Sequence, residues 1–266
     1  MDILVHQHSE HLGRLLVHYA HVSLNAHNVL FVIYKDTKLH LRIADYGKSN
    51  SSIRKAYFKI TLPMLFVQGL WGLNTALQTA ILGHMTAIAI AANSVASNLF
   101  LLIKSTAVGA ASTASVIIGK SIGIGDILQV KLNAKRLQRL FLIIGVCSGI
   151  LVFFLRIPVL SLYNLQPETK EMANTFLILL SLVSVGMSYQ MPTNNGIIRG
   201  GGNAMFVVKM DIISIWGIVV PLSLIMAFVV KASPAIVILC LNADQFFKCI
   251  PAFLEAHYGN WIRKVT

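Results

Sequence analysis

A glycine-rich run, NNGIIRGGGN at residues 194–203, separates two long apolar segments of the chain. Glycine lets backbone N–H groups approach an anion closely, so this run beside Arg199 has the composition of a phosphate cradle. A phosphate loop follows a strand, however, whereas apolar segments of membrane-spanning length flank this run on both sides. The run therefore predicts a tight turn between two membrane helices, with Arg199 as an anchor at the membrane surface.

The composition of the whole chain indicates a membrane protein. Of its 266 residues, 56% are hydrophobic and only 12% are charged, whereas ordinary soluble domains carry about 25% charged residues. A net charge of +12 would suggest nucleic acid as a partner of a soluble protein. Here most of the basic residues lie in the connectors between apolar segments, so we expect the lipid bilayer as partner and no nucleic acid.

Six apolar segments are long enough to cross a bilayer, at about 20 residues for each crossing. They are residues 62–83, 90–118, 138–160, 174–198, 206–230 and 234–256. Lys and Arg are concentrated in alternate connectors, which by the positive-inside rule places both ends of the six-helix unit in the cytoplasm. The prediction is an all-α, multi-pass protein of the plasma membrane with a six-helix lobe at residues 46–266.

The preceding segment, residues 1–45, is rich in histidine and includes an apolar stretch that resembles the end of an earlier membrane helix. Its histidines are irregularly spaced and lack clustered acidic or cysteine partners, so no metal site is predicted. The three cysteines, Cys147, Cys240 and Cys249, lie in apolar segments without Cys-x-x-Cys spacing. Neither a disulfide nor a zinc site is therefore expected.

Polar side chains share one face of several predicted helices when the sequence is projected at about 100° per residue. Large amides need several hydrogen-bond partners each, which water in a cavity supplies better than helix packing does. The predicted cavity-lining residues are Gln68, Trp71, Asn74, Gln78, Asn93, Asn98, Lys104, Asn194 and Asn195. Lys104 stands near the middle of its span, where a cation costs about 2.5–3.5 kcal/mol, so we expect it to face the cavity or to snorkel.

Two further features of the spans are structural predictions. Asp244 and Lys248 are four residues apart on one helix face, where their charges can neutralise each other. Pro192 and Pro221 each remove a backbone N–H and are expected to kink their helices. Such interruptions are tolerated in transporters where neighbours or water satisfy the freed carbonyl.

The sequence contains none of the motifs that indicate an enzyme or a nucleotide-driven pump. It lacks His-Glu-x-x-His, Gly-x-Ser-x-Gly and the Gly-x-x-x-x-Gly-Lys-Ser/Thr loop. We therefore expect no catalytic residue and no cofactor, and an ion gradient as the energy source. One charge crossing 100 mV supplies about 2.3 kcal/mol.

Four stretches resemble the second lobe of the multidrug and toxic compound extrusion (MATE) transporters. They are NNGIIRGGGNAMFVVKMDIISIWGIVVP at 194–221, LPMLFVQGLWGLNTALQTAILGHM at 62–85, STASVIIGKSIGIGDILQVKLNAKR at 112–136 and DQFFKCIPAFLEAHYGNWIRKVT at 244–266. The matching motif residues are Pro63, Gly196, Arg199, Gly200, Asp211, Trp216 and Pro221. The resemblance implies an antiporter that exports amphipathic, cationic small molecules in exchange for Na⁺ or H⁺, built from two six-helix lobes.

The sequence also departs from the family's pattern. Gln68 stands where many members carry a membrane-embedded glutamate, and a neutral amide releases no proton. Asn203 replaces the usual aspartate after the glycines, and Glu255 replaces a usual basic residue. Whether this lobe couples transport to an ion is therefore an open question, and ion binding in a first lobe is the alternative.

Three functions remain compatible with the sequence. The first is efflux by this chain together with a missing first lobe or a second copy of itself. The second is an inactive, truncated fragment of such a transporter. The third is a flippase for lipid-linked sugars, which would need a strongly basic cavity, and of the cavity residues predicted from sequence only Lys104 fits that requirement.

Overall fold

The computed structural model describes residues 51–263, which contain six helices long and apolar enough to cross a membrane. We label them α1 (Ser51–Met85), α2 (Ala87–Ile124), α3 (Ile127–Leu162), α4 (Pro167–Ile198), α5 (Ala204–Val229) and α6 (Pro234–Tyr258). The predicted all-α architecture with six spans is confirmed. Nearly all of the described part belongs to one compact unit, Lys59–Thr266. The histidine-rich segment at residues 1–45 lies outside the described residues, so its predicted role is not addressed.

The first two connectors, before α2 and before α3, are short and contain residues that cap the helices. Thr86 Oγ1 accepts a hydrogen bond from Ala89 N–H at 3.0 Å at the start of α2, and Asp126 Oδ1 accepts one from Gln129 N–H at 3.0 Å at the start of α3. Gly125 ends α2 in the left-handed conformation, with φ of 87°, which glycine adopts without steric cost.

Helices α2 and α3 are longer than the sequence prediction. Residues 119–137 were assigned to a basic connector, but they are helical except for the turn at Gly125 and Asp126. Basic residues are good helix formers, and beyond the hydrocarbon they meet water or lipid headgroups. The hydrophobic length therefore marked the membrane crossing and not the ends of the helices.

Small residues bring α3 and α4 into close contact. A Cβ atom at Gly149 would lie 2.7 Å from Ser181 O, and one at Gly145 would lie 2.9 Å from Val185 O. Such small-residue contacts are typical of helix packing in membranes. Large apolar side chains such as Phe154 and Leu162 are mostly exposed, at 71% and 84%, as expected for a surface that faces lipid.

Two helices contain π-helical segments, in which the backbone bonds run from residue i to i−5. Helix α4 ends with the segment Thr193–Ile198 directly after Pro192. Helix α5 contains Ile213–Val219, directly before Val220 and Pro221, and Ile225–Val229. Pro192 and Pro221, which the sequence predicts to kink their helices, are thus each close to π-helical turns, which are wider than α-helical turns.

The second half of the glycine-rich run, residues 199–203, forms the predicted turn between α4 and α5, while residues 194–198 belong to the π-helical end of α4. Gly202 has a φ of 101°, in the left-handed region, and a Cβ atom at Gly201 would overlap the ring of Trp261. The tail after α6 runs beside this turn, because Arg263 N–H donates to Gly201 O at 2.8 Å. The Trp261 indole is buried, and its Nε1–H donates to Ala256 O at 3.0 Å.

Candidate functional site

A cavity of about 620 Å³ opens between α1, α2, α4, α5 and α6, while α3 contributes nothing to its wall. The structure places eight of the predicted residues on this wall: Gln68, Trp71, Asn74, Gln78, Asn93, Lys104, Asn194 and Asn195. The polar faces of α1 and α2 and the end of α4 therefore meet around one space. A volume of this size is in the usual range for small-molecule sites.

Asn98 is the exception among the predicted cavity residues. Its side chain is exposed and does not line the cavity. On an α-helix Asn98 lies about 140° around the axis from Asn93, whereas Lys104 lies within about 20° of Asn93. The predicted polar arc of α2 was wide enough to include both directions, and only the Asn93 side faces the cavity.

Helix α1 presents its polar face to the cavity along much of its length. Gln68 and Gln78 lie at the two ends of this face, and Trp71 and Asn74 lie between them. Asn74 is 4% exposed, and its Oδ1 is buried without a hydrogen-bond partner among the described residues. A buried acceptor of this kind is costly unless water or a ligand donates to it.

Lys104 points its ammonium group at the indole of Trp71, with Nζ 5.3 Å from the ring centroid. It lines the cavity, which agrees with the first of its two predicted placements. Within the described residues no carboxylate lies at ion-pair distance from Lys104. Its attractive contact in this part of the chain is the cation–π interaction with Trp71.

A buried charged group joins α5 and α6 at the cavity wall. Lys248 Nζ donates to Asp211 Oδ1 at 2.8 Å and to Asp244 Oδ2 at 3.1 Å. The predicted pair of Asp244 and Lys248 is therefore formed, and Asp211, singled out in the sequence only as a motif residue, is its third member. The side chains of Lys248, Asp244 and Asp211 are 2%, 6% and 20% exposed, so Asp211 is the most accessible of the three.

A chain of amides links this charged group to α4. Asn194 Nδ2 donates to Gln190 Oε1 at 3.0 Å, and Gln190 Nε2 donates to Gln245 Oε1 at 2.8 Å. Gln245 Nε2 then donates to Asp244 Oδ2 at 2.9 Å. Sequence reasoning missed Gln190 and Gln245, although the spacing of Gln190 and Asn194 by four residues was a visible signal.

Among the remaining motif residues, the two glycines are sites of close helix packing. A Cβ atom at Gly196 would lie 2.7 Å from Ala111 O, and one at Gly200 would overlap the carbonyl oxygen of Gly196. Arg199 Nη2 contacts Met64 Sδ at 3.1 Å at one end of the cavity. Pro63 lies inside α1, and Trp216 and Pro221 lie in α5, where neither lines the cavity.

Comparisons with known proteins agree with this architecture. The model of the MatE family matches residues 63–225. One similar solved structure is a MOP superfamily transporter from Pyrococcus furiosus, with 17% sequence identity and a TM-score of 0.72 over 82% of this chain and 50% of that one. Another is a MATE protein in complex with MaD3S, with 17% identity and a TM-score of 0.71 over 79% of this chain and 49% of that one. An outward-facing multidrug resistance MATE family transporter is similar to the same degree, with 17% identity and a TM-score of 0.71 over 79% of this chain and 48% of that one.

The comparison with curated proteins gave no significant match. The chain spans about half the length of the transporters whose fold it shares. With the family model covering more than half of the sequence, this chain belongs to the MatE family of multi-pass membrane transport proteins.

Proposed function

We propose that this chain is one lobe of a secondary active transporter that exports amphipathic small molecules by antiport with Na⁺ or H⁺. The observation that carries the proposal is the 620 Å³ cavity, whose wall brings amide and charged side chains from five membrane helices together. Ionisable groups within membrane spans are expensive and typically mark a transport path. The plasma membrane, with both ends of the lobe in the cytoplasm, is the proposed location.

The chemistry of the wall suits amphipathic compounds. Trp71 offers an aromatic surface, and Phe100, Leu180 and Met187 add apolar contacts. Polar groups such as Gln78 and Asn195 lie on the same wall and can orient a ligand by hydrogen bonds. Cationic compounds, which the family resemblance implies, would meet the partly exposed carboxylate of Asp211.

For the coupling ion we propose Asp211 as the binding carboxylate of this lobe. Gln68 carries no charge, and Asp211 and Asp244 are the carboxylates on the cavity wall in residues 51–263. Asp211 has the more accessible side chain of the two. Binding of H⁺ or Na⁺ there would weaken the attraction of Asp211 for Lys248 and so connect the ion to the contact between α5 and α6.

The other half of the transport path would come from a first lobe or from a second copy of this chain. Two copies would place identical polar faces opposite each other with parallel topology. Cross-linking in native membranes distinguishes a dimer from a complex with a separate polypeptide.

The test of the proposal is an accumulation assay in cells that lack their own efflux pumps. Expression of the chain should lower the accumulation of ethidium or norfloxacin, and dissipation of the ion gradient should abolish the effect. A matched control is the variant Asp211→Asn at equal membrane expression. Unchanged accumulation on expression would contradict export by copies of this chain alone, and would instead support the inactive fragment unless cross-linking in native membranes shows a complex with a separate first lobe.

A further inference from the structure

Lys104 is a cation near the middle of α2 whose charge the described residues leave unneutralised. Its ammonium group lines the cavity and approaches the Trp71 ring, but no carboxylate within residues 51–263 is at ion-pair distance. An aromatic ring attracts a cation without cancelling its charge. The ammonium group of Lys104 can therefore bind an anion in the cavity without first breaking an ion pair to a described residue.

The carboxylates of the cavity are already engaged elsewhere. Asp211 and Asp244 both accept from Lys248, at 2.8 and 3.1 Å. The wall also carries Arg199, so in the described part of the chain its cationic side chains outnumber its carboxylates. An anionic group that enters the cavity has Lys104 as a partner, and within residues 51–263 no carboxylate at ion-pair distance competes for it.

The indole of Trp71 defines the rest of the recognition surface. Lys104 Nζ lies 5.3 Å and Lys248 Nζ lies 5.5 Å from the centroid of this same ring. An aromatic ring that stacks on Trp71 would place a carboxylate attached to it within reach of an ammonium group. A compound that is only cationic would meet repulsion from Lys104 at this position.

We propose that Lys104 and Trp71 form a binding subsite for an aromatic carboxylate, so that the cavity binds aromatic anions and zwitterions in addition to the cations that can approach Asp211. Lys104 binds the carboxylate through charge-assisted hydrogen bonds, and Trp71 binds the ring. In a zwitterion, the positive group would reach the partly exposed Asp211. The subsite deepens the proposed transport function and rests on it for its role in export.

The experiment measures binding and does not depend on transport. Radiolabelled 2-naphthoate and 2-naphthamide have the same ring and nearly the same shape, but only the first is charged. Their binding to the full chain in lipid nanodiscs is compared after subtraction of empty nanodiscs. We expect 2-naphthoate to bind about tenfold more tightly than 2-naphthamide, as one charge-assisted contact predicts.

Variants assign that difference to Lys104. Lys104→Gln should bring 2-naphthoate down to the affinity of 2-naphthamide, and Lys104→Arg should preserve most of the difference. Lys120→Gln removes a charge from the same helix outside the cavity and should change neither affinity. Equal affinities for the two probes in the wild-type protein, or an unchanged preference in Lys104→Gln, would overturn the subsite.

The outcome is separable from that of the accumulation assay. Preferential binding of 2-naphthoate without any change in cellular accumulation supports the subsite and contradicts export by this chain. Lowered accumulation without a preference for 2-naphthoate supports export and contradicts the subsite.

Discussion

Asn203 Nδ2 donates a hydrogen bond to Glu255 Oε1 at 2.9 Å, which ties the start of α5 to the end of α6. These are two of the positions at which the resemblance described above implies a departure from the family's pattern, with asparagine in place of an aspartate and glutamate in place of a basic residue. Because the two side chains touch, the implied departures would form a single substituted pair in which the donor and the acceptor have exchanged sides.

This pair predicts a specific result in a double-mutant cycle. Asn203→Asp alone places two carboxylates together and should lower the free energy of unfolding by about 1 kcal/mol. Adding Glu255→Arg should restore the loss, with a favourable coupling energy of about 0.5–1 kcal/mol for a partly exposed ion pair. Thermal unfolding of the four proteins in detergent measures the cycle, and additive effects would contradict a direct contact.

Gly201 is predicted to be intolerant of even one methyl group. A Cβ atom there would overlap the buried ring of Trp261, and overpacking of this kind costs about 1–3 kcal/mol. Gly201→Ala should therefore lower the unfolding temperature. Gly217→Ala is the matched control, because a Cβ atom at Gly217 would meet nothing within 4 Å. Equal stability of the two variants would show that Trp261 does not pack on this glycine.

Lys248 should be the most costly of the three buried charges to remove. Lys248→Gln leaves Asp211 and Asp244 near each other without a cation, and loss of one partner from a buried ion pair costs about 3–5 kcal/mol. Adding Asp244→Asn should recover part of this loss, since it removes one of the two uncompensated carboxylates. Thermal unfolding in detergent measures both variants, and a further loss in the double variant would argue against the arrangement.

Asp211→Asn should uncouple transport from the driving ion. The amide cannot bind H⁺ or neutralise Na⁺ as a carboxylate does, so efflux measured in proteoliposomes should lose its dependence on the imposed gradient. Glu171→Gln removes an exposed carboxylate of α4 that lies off the cavity wall and should leave the dependence intact. Retained gradient dependence in Asp211→Asn would move the coupling site to another lobe.

The helices and the polar face of α1 were predictable because both depend on local pattern. A span needs about 20 apolar residues, and a face repeats every 3.6 residues, so Gln68, Trp71 and Gln78 could be placed on one side of α1 from spacing alone. The glycine turn was predictable for the same reason. Asn98 shows the limit, since an arc of about 140° on one helix does not say which part faces inward.

The polar contacts between helices could not be predicted from the sequence. Lys248 meets Asp211 across 37 residues, and Gln190 meets Gln245 across 55. Spacing along one helix indicates neighbours only at three or four residues. The pair of Asp244 and Lys248 was therefore visible, while the third charge and the amide chain depended on how α4, α5 and α6 pack.

The π-helical segments of α4 and α5 allow these two helices to tolerate a one-residue change in the length of the sequence. A π-helical turn holds about one residue more than an α-helical turn. Deletion of one residue within Ile213–Val219 can be absorbed by conversion of that turn to α-helix, which preserves the direction of the side chains beyond it. The same deletion in a regular part of α2 would rotate every later side chain by about 100°. The π-helical turns are therefore where a change in chain length is most easily accommodated.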